Sequence, residues 1–234
     1  MKIDFRRTLP SYSARRGSFQ QVVVPPLQFL MIDGSGDPNT SPEYAAALQA
    51  LYPVAYRLKF TSKNDLDRDY AVMPLEAQWW SDDMDSFTTA RDKSQWRWTL
   101  LSMVPDWITR EQFDAAILAV EKRAGRPRPS APPTGEHPAE PLGTAALRLE
   151  RVDDGLCVQT LHVGPYDDEA PVLAAMHADY IPAHSLRLTG RHHEIYLSDP
   201  RRTAPEKLRT ILRQPVAIDD GGDVSGGGGG SSSD

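Results

Sequence analysis

Residues 125–143 of this 234-residue chain hold six prolines and three glycines. Proline has no N–H and clashes with helical backbone, so neither a helix nor a central strand runs through such a stretch. The fold has to be assembled from what lies on either side, and the two sides repeat one order of elements. Before the stretch, LQFLMIDGSGDP (27–38) reads as a buried strand broken by a glycine-rich turn, then a helix, then a strand carrying Glu76. After it, CVQTLHVGPYDD (157–168) reads as a strand ending at Gly164, then a helix, then a strand carrying Glu194. Gly34 and Glu76 are 42 residues apart, Gly164 and Glu194 are 30 apart, and a longer helix and loop absorb the difference. The expected architecture is α+β: a tandem, pseudo-twofold repeat of a strand–helix–strand–strand unit, with a ligand cleft between the halves.

Residues 1–26 read as an extended arm leading to the first strand, the first half as 27–124, the linker as 125–143 and the second half as 144–218. The glycine- and serine-rich residues 219–234 read as a disordered tail. Ser41-Pro42-Glu43 opens a helix expected to run to about Phe60, interrupted or kinked near Pro53. Strands are expected over 69–80 and 95–103, joined by an acidic connection. A helix is expected over 109–123, where Thr109 and Gln112 have capping-box spacing. Further strands fit 145–151, 156–163 and 191–197, a helix fits 169–180, and a short last helix starts at Pro205.

Composition narrows the partners. The net charge is −6 and the basic residues are scattered, so direct nucleic-acid binding is not expected. No apolar run is long enough for a membrane span, and the basic N-terminus lacks the apolar core of a secretory signal. Cys157 stands alone, which with the foregoing predicts a cytoplasmic protein. It reads as a small buried hydrophobe. No phosphate-loop, nucleophile-elbow or metal-binding motif is complete, so neither cofactor nor metal is expected. His192 and His193 point to opposite faces of a strand and cannot share one metal.

The candidate chemistry lies in two strands. In MPLEAQWW, Glu76, Gln78 and Trp80 share one face and Leu75, Ala77 and Trp79 the other. A carboxylate beside indoles suits a flat or cationic ligand; periodicity alone fits equally a core of tryptophans with a solvated glutamate. Five tryptophans fall within 29 residues (Trp79, Trp80, Trp96, Trp98 and Trp107), which again fits a pocket or a large core. In HHEIYLSDP, His192, Glu194 and Tyr196 share one strand face. A glutamate in an aromatic pocket can act as general base or acid, and a tyrosine two residues on can bond the same ligand atom. An ordinary surface strand would show the same alternation.

Taken together, FLMIDGSGDP, PLEAQWW, HVGPYDDE and GRHHEIYLSDPRRTAPEKLRTILRQPV resemble the GyrI-like small-molecule-binding family, specifically its stand-alone branch without a DNA-binding domain. The resemblance spans most of residues 20–216, so a single GyrI-like domain is expected over 27–218. It implies a pocket glutamate with aromatic walls, with Glu194 as the matching position. It also implies a hydrolase that opens strained cyclopropane rings of DNA-alkylating compounds. Opening such a ring with water needs a base and a donor to the carbonyl oxygen. Glu194 or Glu76 is assigned as base and Tyr166 or Tyr196 as donor, with Trp79, Trp80, Trp98 and Trp107 as walls and His192 as a further ligand contact. The alternatives are a non-catalytic effector-binding or sequestering module, or a gyrase-interacting protein. The expected partner is a small molecule, and the expected state a monomer or homodimer.

Overall fold

The computed structural model describes residues 2–81, 92–125 and 143–219; the expectations for the acidic connection, nearly all of the proline-rich stretch and the tail lie outside the described residues. Nine strands are described: β1 (Gln20–Val24), β2 (Leu27–Ser35), β3 (Glu76–Trp80), β4 (Arg97–Met103), β5 (Arg148–Val152), β6 (Gly155–Val163), β7 (Leu186–Leu188), β8 (His192–Tyr196) and β9 (Arg209–Ile218). Their order across the sheet is β1-β6-β9-β8-β3-β4-β2-β5, with β7 added beside the end of β9. All pairings between these strands are antiparallel. The order is balanced about the β3–β8 pair: β3-β4-β2 on one side answers β8-β9-β6 on the other, and each set is flanked by a strand from elsewhere in the chain.

Those flanking strands depart from the expected boundaries. Residues 1–26 hold more than an arm, because β1 pairs along its whole length with β6 of the second half. Likewise β5, expected at the start of the second half, pairs with β2 of the first.

Helices cover one face of the sheet. The chain begins with the short α1 (Phe5–Thr8). The long α2 (Pro42–Asp65) starts where Ser41 accepts a hydrogen bond from the Tyr44 N–H and Pro42 occupies the first turn. Its Ala47, Leu51, Val54 and Leu58 recur at steps of three and four and are fully buried. Burying a Leu or Val side chain contributes about 1.5–3 kcal/mol. This stripe holds the helix continuous through Pro53, where an interruption or kink was expected. The helix α3 (Arg110–Ala124) has the expected capping box, and Gly125 closes it in the left-handed conformation (φ 66°).

The same face of the second half is covered by α4 (Ala170–Ala174), a π-helical turn (Ala175–Tyr180) and α5 (Ile181–Ala183), one after another. Met176 and Ile181, five residues apart, belong to one buried cluster with Val158, Leu212 and Val216. An α-helix would not put positions five apart on one face, whereas the i→i+5 spacing of a π turn does. Pro182 contributes by offering no N–H to the carbonyl of Ala178.

The opposite face of the sheet is covered by the N-terminal segment. Tyr12 packs there with Phe29, Met31, Leu101, Ile195 and Ile211. Besides β1, two further strands were not anticipated, β7 and β9. At Pro205 there is only a single 3-10 turn (Pro205–Lys207), and the ten residues after Leu208 form β9. Among the described residues, no helix is long and apolar enough to cross a membrane.

Candidate functional site

Strand β8 lies at the middle of the sheet, and its alternation sends side chains into two separate environments. In register, Glu194 stands between Ala77 of β3 and Leu212 of β9. Ala77 belongs to the core under α2 and α3, and Leu212 to the core under the π turn. Glu194 thus sits on the helix-covered face, at the seam between the two helix layers.

Its carboxylate is held from several sides. The Tyr196 hydroxyl donates to Glu194 Oε2 at 2.7 Å, and the Trp79 indole N–H donates to the Tyr196 oxygen at 3.2 Å. His192 Nε2 is 3.5 Å from Glu194 Oε1; the two side chains are 15% and 12% exposed, enough for solvent or a ligand to reach. Aromatic rings enclose the group. Trp79 and Trp98 are a cross-strand pair, and Tyr44, from the first turn of α2, stacks on Trp79 at 6.5 Å and meets Trp98 edge-on at 5.1 Å. Trp96 packs edge-on against Trp79, and Tyr166 against Tyr196 at 5.5 Å. The strand β2 passes directly under Trp98: a Cβ on Gly34 would lie 2.1 Å from the indole, so only glycine fits.

These phenols stay protonated. Burial first, and then the charge of Glu194, push Tyr196 and Tyr44 well above the ordinary tyrosine range. Burial, Glu169 and Glu194 push Tyr166 up to about 12. Each is therefore a hydrogen-bond donor at neutral pH.

Beside this group, an opening of about 620 Å³ is lined by Asp37, Thr40, Asp92, Lys93, Ser94 and Asp167. Lys93 spans it to Asp167 at 2.9 Å and lies 5.7 Å from the Trp96 ring. The lining does not include Glu194; the opening adjoins its aromatic surround through Trp96 and through Tyr166, the neighbour of Asp167. Among the described residues, no group of His, Cys, Asp and Glu is arranged to hold a metal ion.

Glu76 is elsewhere. It faces the other side of the sheet and is fully buried, where it accepts a hydrogen bond from the Tyr12 hydroxyl. His193 Nε2 is 3.0 Å from Glu76 Oε2, a charge contact without hydrogen-bond alignment, and His193 Nδ1 bonds Asp154 at 3.0 Å. Arg213, 1% exposed, lies 3.7 Å from Asp154 and donates to the Ser11 carbonyl. Burial disfavours the charged imidazole, but the hydrogen bond to Asp154 and the close charges of Asp154 and Glu76 outweigh it and raise His193 above its ordinary range.

Of the residues assigned from sequence, the structure brings Glu194, Tyr196, Tyr166, His192, Trp79 and Trp98 together. It separates Glu76, whose strand face is opposite; Trp80, whose ring is covered by the Arg191 guanidinium at 3.5 Å; and Trp107. The indole of Trp107 donates to Ser62 and packs on Phe5 and Tyr70. Tyr44 and Trp96 were missed as site residues. Tyr44 carried one usable signal, an aromatic three residues after a helix cap that follows a strand end.

The family model of the GyrI-like small molecule binding domain matches residues 135–217. Among solved structures, an uncharacterized conserved protein from Listeria innocua is 36% identical, covering 92% of this chain and 100% of its own, with a TM-score of 0.78. Two structures named hydrolases from Listeria innocua are similar as well. One is 34% identical over 93% of this chain and 100% of its own, with a TM-score of 0.77. The other is 35% identical over 92% and 100%, with a TM-score of 0.74. No curated protein matches.

Proposed function

We propose, from the premise that this chain belongs to the GyrI-like family of small-molecule-binding domains, that it hydrolyses flat electrophiles in which a cyclopropane is conjugated to a carbonyl. The observation that carries the reading is the Glu194 carboxylate, 12% exposed at the seam of the two halves and surrounded by aromatic rings. Hydrolases 34% and 35% identical to this chain support a reaction with water.

The chemistry follows from the donors and acceptors present. A flat conjugated ligand stacks on Tyr44, Trp79 and Tyr166. Glu194 takes a proton from a water molecule, whose oxygen bonds to a carbon of the three-membered ring. The ring C–C bond breaks and its electron pair moves through the conjugated system to the carbonyl oxygen. Tyr166, kept neutral by burial, donates a hydrogen bond to that oxygen as charge develops, and the oxygen is protonated from solvent. Tyr196 orients the base through its bond to Oε2. The sum is the addition of one water, with Glu194 left to return its proton.

The test is incubation with a cyclopropyl dienone, following the hydrated product by mass spectrometry. Many turnovers per protein are expected. Stoichiometric binding without product would make the protein a sequestering module and overturn hydrolysis.

A further inference from the structure

The mechanism leaves Glu194 protonated after each turnover, and a ligand seated on the aromatic rings would cover the part of the carboxyl group that solvent reaches. A route past the ligand is then needed by which that proton leaves. The structure has a candidate next to the base. His192 Nε2 is 3.5 Å from Glu194 Oε1, and on the far side of His192 stands His177, ring centroids 6.2 Å apart and nearly perpendicular at 79°. Three imidazole nitrogens in this pair, His192 Nδ1, His192 Nε2 and His177 Nε2, are buried without an aligned hydrogen bond among the described residues, although the Gln214 side chain interacts with the His177 ring. Buried polar atoms are ordinarily bonded, because leaving one unpaired forfeits the hydrogen bonds it made to water. Three adjacent exceptions on two rings mark a place where bonds are made during function rather than at rest.

The backbone gives an independent pointer. His177 lies in the π-helical turn Ala175–Tyr180. Such turns are rare and frequent at functional sites. The turn keeps Met176 and Ile181 together in the core while His177 meets His192 at the start of β8.

We propose that His192 and His177 form a single-proton relay that returns Glu194 to its ionised state; this rests on Glu194 being the base. The Glu194 carboxyl gives its proton to His192 Nε2, His192 releases one from Nδ1, and His177 accepts it at Nε2 and passes it to solvent. One proton moves outward, the carboxylate regains its charge, and no bond to the substrate is involved. Gaps of this size are spanned by one water or a small side-chain shift. The groups facing the pair are Glu194 on β8 and Gln214 on β9, with Glu169 acting through Tyr166 and Tyr196. Burial, then the neighbouring His192, lower His177 to about 4. His177 thus does not hold a proton for long and passes it on.

His177 is a positioning and relay residue, so its test separates relay from scaffold. With the cyclopropyl dienone as substrate, His177→Ala is expected to lower kcat about ten- to hundredfold, leave KM within about twofold, and recover activity when free imidazole is added to the buffer. Should the alanine variant fail to fold, His177→Gln, close in size, takes its place. A second measurement reads the pair directly: in NMR titrations His192→Gln should raise the His177 midpoint. Wild-type kcat in His177→Ala, a loss that imidazole does not restore, or a His177 midpoint indifferent to His192→Gln each overturns the relay. If Glu194→Gln is inactive in the same assays while His177→Ala is normal, the relay fails and hydrolysis stands; if the wild type makes no product, both fail.

Discussion

Glu76 and Glu194 are neighbours across one strand pair, yet a single step of pleat assigns them to different tasks. Glu76 is locked between Tyr12 and His193 on the side covered by the N-terminal segment; Glu194 faces the seam and keeps some exposure. Their amide variants should therefore separate. Glu194→Gln is expected to reduce kcat by about 10²–10⁴-fold with thermal stability near wild type. Glu76→Gln should leave the kcat of folded protein within a few-fold, while breaking a buried ionic contact costs about 3–5 kcal/mol, read by denaturant unfolding. Equal loss of kcat in both would sink the assignment. Gly34 makes a purely steric case: Gly34→Ala forces a methyl against Trp98, and overpacking of this kind costs about 1–3 kcal/mol or more. It should also dull ligand binding, because Trp98 is the ring on which Tyr44 rests.

Among the elements, β9 explains how a strand was hidden in the sequence. Its run RTILRQPVAI holds two arginines, a glutamine and a proline, yet Arg213, Gln214 and Val216 are all buried. Arg213 is buried because Asp154, Gln159 and the Ser11 carbonyl surround it. The proline is tolerated because β8 pairs with Thr210–Arg213 and β7 with Val216–Ile218, leaving Pro215 in the gap between them. The helix α2 shows the converse, a breaker overridden by packing. Pro53 is exposed within a continuous helix, so Pro53→Ala should restore a backbone hydrogen bond without touching the core. A gain of about 1–3 kcal/mol is expected, or about 2–4 °C in Tm per kcal/mol, by calorimetry. A lower Tm would mean that the proline is required where it stands.

At the scale of the molecule, the buried Tyr12–Glu76–His193–Asp154–Arg213 network joins the N-terminal segment, β3, β8, β9 and the β5–β6 turn. It makes stability depend on pH in a calculable direction. His193 is raised above its unfolded value of about 6.5, so its contribution is full below that pH and fades as pH climbs through the raised folded value. Asp154 is lowered; burial opposes this, but His193 and Arg213 outweigh it. Its contribution is present above its unfolded value and fades as pH falls through the lowered one. Unfolding free energy measured against pH should therefore decline on the alkaline side of about 6.5, and His193→Gln should flatten that decline at a cost of about 3–5 kcal/mol. An unchanged alkaline slope in the variant would mean that His193 is not the group responsible.

Much of this was legible from the residues alone. Local rules suffice where neighbours in sequence are neighbours in space: the caps at Ser41 and Thr109, the apolar stripe of α2, and the alternation that puts His192, Glu194 and Tyr196 on one face. Side-chain direction along a strand has a period of two whatever the sheet contains. Which strands adjoin, and what lies over each face, are long-range facts that no local pattern encodes. Only the pairing of β3 with β8 shows that Glu76 and Glu194 look away from each other, and only packing shows that Trp80 and Trp107 are occupied by Arg191 and by Phe5 and Tyr70. That Glu194, His192 and Tyr196 share one strand face could be read from the chain. The placing of Tyr44 near Glu194, of Trp96 against Trp79 and of His177 against His192 was decided by the tertiary structure, because these residues come from a helix, a loop and a π turn that meet only when the sheet closes between them.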